Sequence, residues 1–476
     1  MLHLSSGIIH HPMPAIFIEN RTYDEIKVGD SATLTRTLRP EDIQLFAIMS
    51  GDVNPAHVDP EYAHSSLFQE VIAHGMWGGA LISTVLGTEF PGPGTLYIGQ
   101  TLKFSRPVKV GDTITVKVTC KEKFDRNKHI VFECLCTNQD GLKVIAGEAE
   151  VLAPTEKVKR ERFELPEFTI SDRWSRYKKL LARAKGLPAA TAVFAQPVHA
   201  ESLQSAATAA ESGFLRPVLI GPEKEMREVA KANGIDLLRC RLLDAPHARA
   251  AVARAVEMAR SGEADILVQG DVTTQDFMER VIGHDGLRGV RRLSHVLYID
   301  VPNYPRPIII SDMMVNIEPT LDEKVEITQN AIDFAHMMGT PEPKVAILAG
   351  IDTVTPKMRA TVDAAALCKM ADRGQISGAV LDGPLGIDNA LSLVAARSAH
   401  LKSAVAGQAD VLIAPDLEAG NMLAKQLEHL SDAISGGVVL GGKVPVVLAN
   451  RNDSIESRVA SLVLALLVAN QLRTPR

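Results

Sequence analysis

Asp52 and His57 stand five residues apart on either side of Asn54-Pro55. A carboxylate and an imidazole are the side chains best suited to take a proton from water and return one near neutral pH. Proline at 55 disfavours helical backbone at Asn54. The segment Gly51-Asp52-Val53-Asn54-Pro55-Ala56-His57 is therefore expected to bend, with both groups around one water. Further on, His74-Gly75 opens an apolar, small-residue run to Leu86. A helix starting there presents unpaired backbone N–H groups and a positive dipole end to a developing oxyanion, and glycine lets a substrate approach closely. Base, acid and oxyanion receptor together are what adding water to an enoyl thioester requires. Taken singly, Asp52 is equally a capping or turn residue and His57 a helix-start histidine. His57, Asp59, His64 and His74 have metal-ligand chemistry but no HExxH-like spacing, and no metal is expected.

In the C-terminal half, Asp382-Gly383 and Asn450-Arg451 follow short apolar runs, where loops after strands gather ligand chemistry. A cation that holds phosphate and groups that polarise a thioester carbonyl would let phosphate attack an acyl thioester with no covalent nucleophile. Each polar residue here is about as well explained by capping or turn formation. Gly436-Gly437 and Gly441-Gly442 fit neither GxGxxG nor Walker spacing and read as turns flanking Val438 to Leu440. The missing dinucleotide fingerprint also disfavours a dehydrogenase.

The elements that must position these groups change character along the chain. From Tyr23 to about Pro154, one helical run and four β-branched, alternating runs (101–104, 113–123, 129–137 and 142–152) predict an α+β domain, a sheet curled around one helix. In it, Cys134 and Cys136 fall on one strand face as core residues. Residues 154–174, with the charged run Thr155 to Arg162 and Pro166, read as a solvated linker. Beyond Trp174, Ala-rich helical stretches alternate with short apolar runs (192–194, 217–220, 266–269, 345–348, 379–381, 411–414 and 445–448). They predict an α/β domain with a mainly parallel sheet between helices, whose ligands gather beyond the carboxyl ends of the strands.

The 476 residues, 46% of them apolar, exceed one compact core. A net charge of −6 without a long basic run gives no footprint for nucleic acid. Five cysteines without CxxC spacing fit a reducing cytoplasm. Met1 to Ile18 lacks the basic flank and unbroken apolar stretch of an export signal. The apolar segment Ile455 to Leu472 carries Glu456 and Arg458 and reads as a core helix, so no membrane partner is expected.

Phe46 to Asp59, with Phe68 and Ala73-His74-Gly75-Met76, resembles the MaoC-type (R)-specific enoyl-CoA hydratases over residues 23–153. The resemblance implies a hot-dog fold in which Asp52 and His57 hold the water and the Gly75 N–H receives the oxyanion. Asn54 and Ser83 support them. Five ordered blocks are similar to the phosphate acetyl/butyryltransferase family: Leu293 to Val296, Ile310 to Pro319, Val380 to Leu385, Ala414 to Asn421 and Asn450 to Ser454. That family implies two α/β subdomains in three layers and reversible exchange of an acyl group between CoA and phosphate. By this resemblance Arg451 is expected to bind substrate, and Asp312, Asn316, Asp382, Gly383, Asn421, Lys425 and Asn450 are expected to line the cleft. Asn450 replaces a common serine, and Ser457 stands where phosphate acetyltransferases carry an aspartate. The alternative is thus an active hydratase with a catalytically weak acyl-CoA-binding or assembly domain. The expected organisation is a hydratase domain at 1–153, a linker at 154–174 and a transferase domain at 175–476. The chain is expected to form a homodimer or larger homo-oligomer, acting on acyl-CoA and inorganic phosphate with no cofactor.

Overall fold

The computed structural model describes residues 17–163, 174–302, 304–450 and 452–473. The chain forms two compact units, within residues 1–170 and 171–476. Most of the N-terminal stretch weighed as an export signal, the last part of the linker and Arg451 lie outside the described residues.

In the first unit, β1 (Phe17–Glu19), β2 (Ser31–Thr37), α1 (Pro40–Ser50), α2 (Pro55–Val58) and α3 (Pro60–Ser65) precede α4 (Gly75–Thr84). Then come β3 (Leu96–Gln100), β4 (Lys103–Phe104), β5 (Thr113–Phe124), β6 (His129–Thr137), β7 (Lys143–Leu152) and β8 (Lys159–Glu161). The main sheet is antiparallel in the order β2-β5-β6-β7-β3, with β4 also on β7. Strand alternation sends Ile130, Phe132, Cys134 and Cys136 of β6 into the core, each fully buried. Burial pushes the thiols of Cys134 and Cys136 up to about 11 and about 12, which leaves them as small core residues rather than nucleophiles. Trp77, Leu81 and Ile82 turn the apolar side of α4 onto the same core. The contact is close: a Cβ on Gly78 would sit 2.3 Å from Ile145 Cδ1. Part of the expected linker is built into this unit, because β8 pairs with β1 and Lys157 bridges to Glu25 at 2.9 Å. Its charges find fixed partners instead of water alone.

The second unit carries β9 (Ala190–Ala195), β10 (Leu215–Gly221), β11 (Arg241–Asp244), β12 (Ile266–Gln269), β13 (Ser294–Asp300), β14 (Ile308–Ser311), β15 (Lys344–Leu348), β16 (Val380–Leu385), β17 (Val411–Ile413), β18 (Ile434–Leu440) and β19 (Val446–Val447). They form one sheet in the order β11-β10-β9-β12-β19-β18-β13-β14-β17-β15-β16. Both wings are parallel, whereas β13 and β18 pair antiparallel with each other and with their outer neighbours. The two subdomains thus share a continuous sheet.

The turn expected at Gly436-Gly437 is instead the interior of β18. A Cβ on Gly436 would lie 3.0 Å from the backbone of Ala460, and one on Gly437 would lie 2.4 Å from His295 Nε2. These glycines make room for a helix and a buried imidazole. Gly441, at φ +87°, does turn the chain. Among the described residues, Ile455–Arg473 is the one helix long and apolar enough to cross a membrane, and it packs in the core of this unit against β18.

Candidate active sites

In the first unit, α1 ends at Gly51 with a left-handed φ of +75° and an N–H bond to Ala47 O. Asp52 follows in an exposed, irregular stretch, and its Oδ1 accepts the Asn54 N–H at 3.2 Å. Asn54 Oδ1 in turn accepts the Ala56 N–H at 3.1 Å, so the motif asparagine starts α2 as its cap. His57 lies on that one-turn helix. Its Nδ1 sits 2.9 Å from Ile72 O, and since a carbonyl only accepts, Nδ1 carries the hydrogen and Nε2 keeps its lone pair.

A ligand-type atom from each of Asp52, His57 and His74 lies within 4.8 Å of the others. Two hydrogen bonds of about 2.8 Å meeting on one water at a tetrahedral angle span about 4.6 Å. Carboxylate and imidazole are thus close enough to act on one water. The other residues weighed as metal ligands do not join this group: Asp59 caps α3 through the N–H groups of Glu61 and Tyr62, and His64 faces Gln69 O.

Gly75 is the first residue of α4, whose N-terminus has no side-chain cap hydrogen bond. It lines a cavity of about 340 Å³ together with His57, His74, Phe68 and Phe104. A Cβ here would press to 3.2 Å on the Phe104 ring, so glycine keeps the helix start open to a ligand. Ser83 is not brought to this cavity. It is exposed, and eight residues along α4 place it roughly 12 Å from Gly75.

The second unit treats its expected residues differently. Asp312 is buried, and its carboxylate accepts N–H groups from Met314 at 2.8 Å, Val315 at 3.0 Å, Asn316 Nδ2 at 2.6 Å and His295 at 3.2 Å. Burial raises its pKa, and these four donors oppose the rise. Asn316 is buried too and also donates to Leu293 O at 2.9 Å. Both were expected to line a cleft. They are spent instead on holding the β14 exit to the start of β13. His295, next to them, has its pKa pushed down to about 3, first by burial and then by the charge of Lys425.

Asp382 accepts the N–H of Gly383 at 2.8 Å, and Gly383 is required by packing, because a Cβ would lie 2.7 Å from Ile347 O. Both belong to β16, six strand spacings from β19, roughly 29 Å along the sheet. Neither is among the residues that line the cavity beside Asp453.

Beyond β19, the Asn450 N–H donates to Asp453 Oδ2 at 2.8 Å, and Arg458 Nη2 donates to Asn450 O at 2.7 Å. Asp453, its pKa raised by burial, joins Lys425, Asn452, Ser454 and Ser457 around a cavity of about 200 Å³. Lys425 Nζ reaches Glu428 at 2.7 Å, which offsets part of its charge. Asn421, one turn earlier, donates to Met313 O at 3.3 Å. The structure thus brings Lys425 and Ser457 to one cavity, which Asn450 does not line but adjoins through its bond to Asp453. Asp453, which lies within the Asn450-to-Ser454 block but is not among the expected site residues, lines this cavity as well.

Residues 246–466 match the phosphate acetyl/butaryl transferase family model, and residues 24–138 match that of the MaoC like domain. The phosphate acetyltransferase of Rhizobium meliloti is 46% identical over 300 residues, covering 63% of this chain and 95% of that protein. The chain belongs to the phosphate acetyl/butyryltransferase family. The phosphate butyryltransferase of Clostridium beijerinckii is 37% identical over 294 residues, 62% of this chain and 97% of that protein.

Among solved structures, the branched-chain phosphotransacylase from Enterococcus faecalis V583 aligns at a TM-score of 0.53 with 28% identity, over 59% of this chain and 99% of that one. The R-hydratase PhaJ1 from Pseudomonas aeruginosa is 46% identical over 33% of this chain and 99% of that one, at a TM-score of 0.32. The first unit is a MaoC-like hot-dog domain, and the family match lies wholly within the second unit. The Asn450 loop and Lys425 fall inside the matched segment.

Proposed function

We propose that the chain is a bifunctional acyl-CoA enzyme: it hydrates trans-2-enoyl-CoA to (R)-3-hydroxyacyl-CoA in its first unit and transfers an acyl group reversibly between CoA and phosphate in its second. The observation that carries the first activity is that ligating atoms of Asp52, His57 and His74 lie within 4.8 Å of one another, close enough to share one water, beside the open N-terminus of α4. Asp52 and His57 Nε2 hold the water. One takes its proton as oxygen adds to the β-carbon, and the α-carbon is protonated from the same pair. The Gly75 N–H supports the thioester oxygen while it bears enolate charge. Asn54 acts by shaping the loop.

For the second activity, the family match and the polar cavity beside Asn450 support phosphate bound near Lys425 and Arg451, with attack on the thioester carbon and departure of the CoA thiolate. The reading calls on no metal or cofactor; CoA thioesters and phosphate are substrates. The outer strand β3 leaves Leu96, Tyr97 and Ile98 exposed on a sheet edge. This supports pairing into a homodimer or larger assembly. The five cysteines are free, in keeping with a cytoplasmic setting.

Two assays on the purified chain test both halves. Crotonyl-CoA should lose its enoyl absorbance and yield the (R)-3-hydroxy thioester. Acetyl- or butyryl-CoA with phosphate should release free thiol and acyl phosphate. Absence of either product across short and medium acyl chains removes that half of the reading.

A further inference from the structure

We infer that His74 is a positioning residue for hydration, one side chain that holds both the Asp52 loop and the His57 ring in place. The inference rests on the hydratase reading of the same site and extends it to a residue to which that reading gives no role.

His74 Nε2 lies 3.0 Å from the main-chain oxygen of Asp52, across 22 residues of sequence. A carbonyl only accepts, so Nε2 carries the hydrogen and Nδ1 is left with a bare lone pair. The His74 ring also meets His57 at a centroid distance of 4.0 Å and Phe46 of α1 at 4.9 Å. The stretch that carries it is pinned from behind, because the Ala73 N–H donates to Val108 O at 2.8 Å. His57 is tied to the same stretch through Ile72 O. Residues 72–74 are therefore the shared anchor of both proposed catalytic side chains, and His74 makes the contact to each.

A histidine present only to fill space would have its polar atoms satisfied. His74 is 97% buried, and its Nδ1 finds no partner among the described residues. Leaving a buried acceptor unpaired costs about 1–3 kcal/mol, which a phenylalanine at the same place would avoid. What the imidazole supplies and phenylalanine does not is the N–H to Asp52 O, the bond that sets the height of the carboxylate against His57. Loss of that bond releases the loop, and a misplacement near 1 Å is worth about 100-fold in rate.

The test compares His74→Phe, which keeps the ring contacts and removes the donor, with His74→Gln, which keeps an N–H within reach of Asp52 O. In crotonyl-CoA hydration by the full chain, His74→Phe should lower kcat about 100-fold with KM unchanged, and His74→Gln should recover most of the loss. Nitrogen chemical shifts of labelled histidine in the unsubstituted chain should show His74 with its hydrogen on Nε2, a readout that does not depend on either variant folding. Wild-type kcat in His74→Phe, or a hydrogen on Nδ1, overturns the inference while leaving the hydratase reading intact. An unsubstituted chain inert toward crotonyl-CoA overturns the hydratase reading and this inference with it.

Discussion

The two candidate sites are built in opposite ways. In the first unit the chemical residues come from one stretch, 51–75, and are carried by a left-handed helix end, a one-turn helix and the open start of α4. Their polar side chains keep at least one atom free for a water. In the second unit the motif residues are spread along an eleven-stranded sheet, and several are consumed by the fold itself: Asp312 has four internal donors and Asn316 is buried beside it. A motif residue whose hydrogen-bonding capacity is already filled serves the architecture, and one with capacity left over can serve a ligand.

The sharpest way to break this comparison is Asp52→Asn, which preserves shape and removes the base. Hydration of crotonyl-CoA should fall about 1,000-fold while acyl phosphate formation is untouched; an unchanged hydration rate would show that the exposed carboxylate is a turn residue after all. Next in size is Arg451→Ala, expected to cut acyl phosphate formation by about 100-fold or more with hydration retained, as followed by release of CoA thiol.

Asp312→Ala should act through the fold. Leaving its buried donors without an acceptor costs about 3 kcal/mol, read as a lower denaturant midpoint for the second unit. If stability holds and transferase activity alone disappears, Asp312 belongs with the ligand-facing residues.

The smallest effect concerns pH. The His295 imidazole is buried and takes up a proton only near pH 3, whereas in the unfolded chain it does so near 6.5. Between those values the unfolded state binds more protons, so this group makes the second unit lose stability as pH falls from 6.5 toward 3. Asp312, with its raised pKa, works in the opposite sense, because the folded state takes up its proton first on acidification. Replacing His295 with Asn should therefore flatten the stability difference between pH 7 and pH 5. A difference as steep as in the unsubstituted chain would assign the acid sensitivity to other groups.

Much of the fold was legible because its signals are local. Alternation in 113–123 and 129–137 marks strands and their inward faces, and Pro55 and Gly75 mark where helices begin. The central strands were harder to read. The interior glycines of β18 look like a turn until the helix over Gly436 and the His295 ring over Gly437 are in place. Within the sites, Asp453 shows no signal apart from the loop it closes with Asn450, and the exposed position of Ser83 depends on how α4 lies on its sheet.

The sequence alone determined which chemistries the chain carries, because the Asp52–His57 spacing, the Gly75 helix start and the ordered blocks from Leu293 to Ser454 are properties of neighbouring residues. Tertiary structure decided which polar residues remain available for that chemistry. Asp312 meets His295 across 17 residues and His74 meets Asp52 across 22, and whether a carboxylate or an imidazole is satisfied, buried or open depends on such closures between segments. No local pattern encodes them, since burial and hydrogen-bond saturation are set by what folds back onto a residue and only weakly by what flanks it.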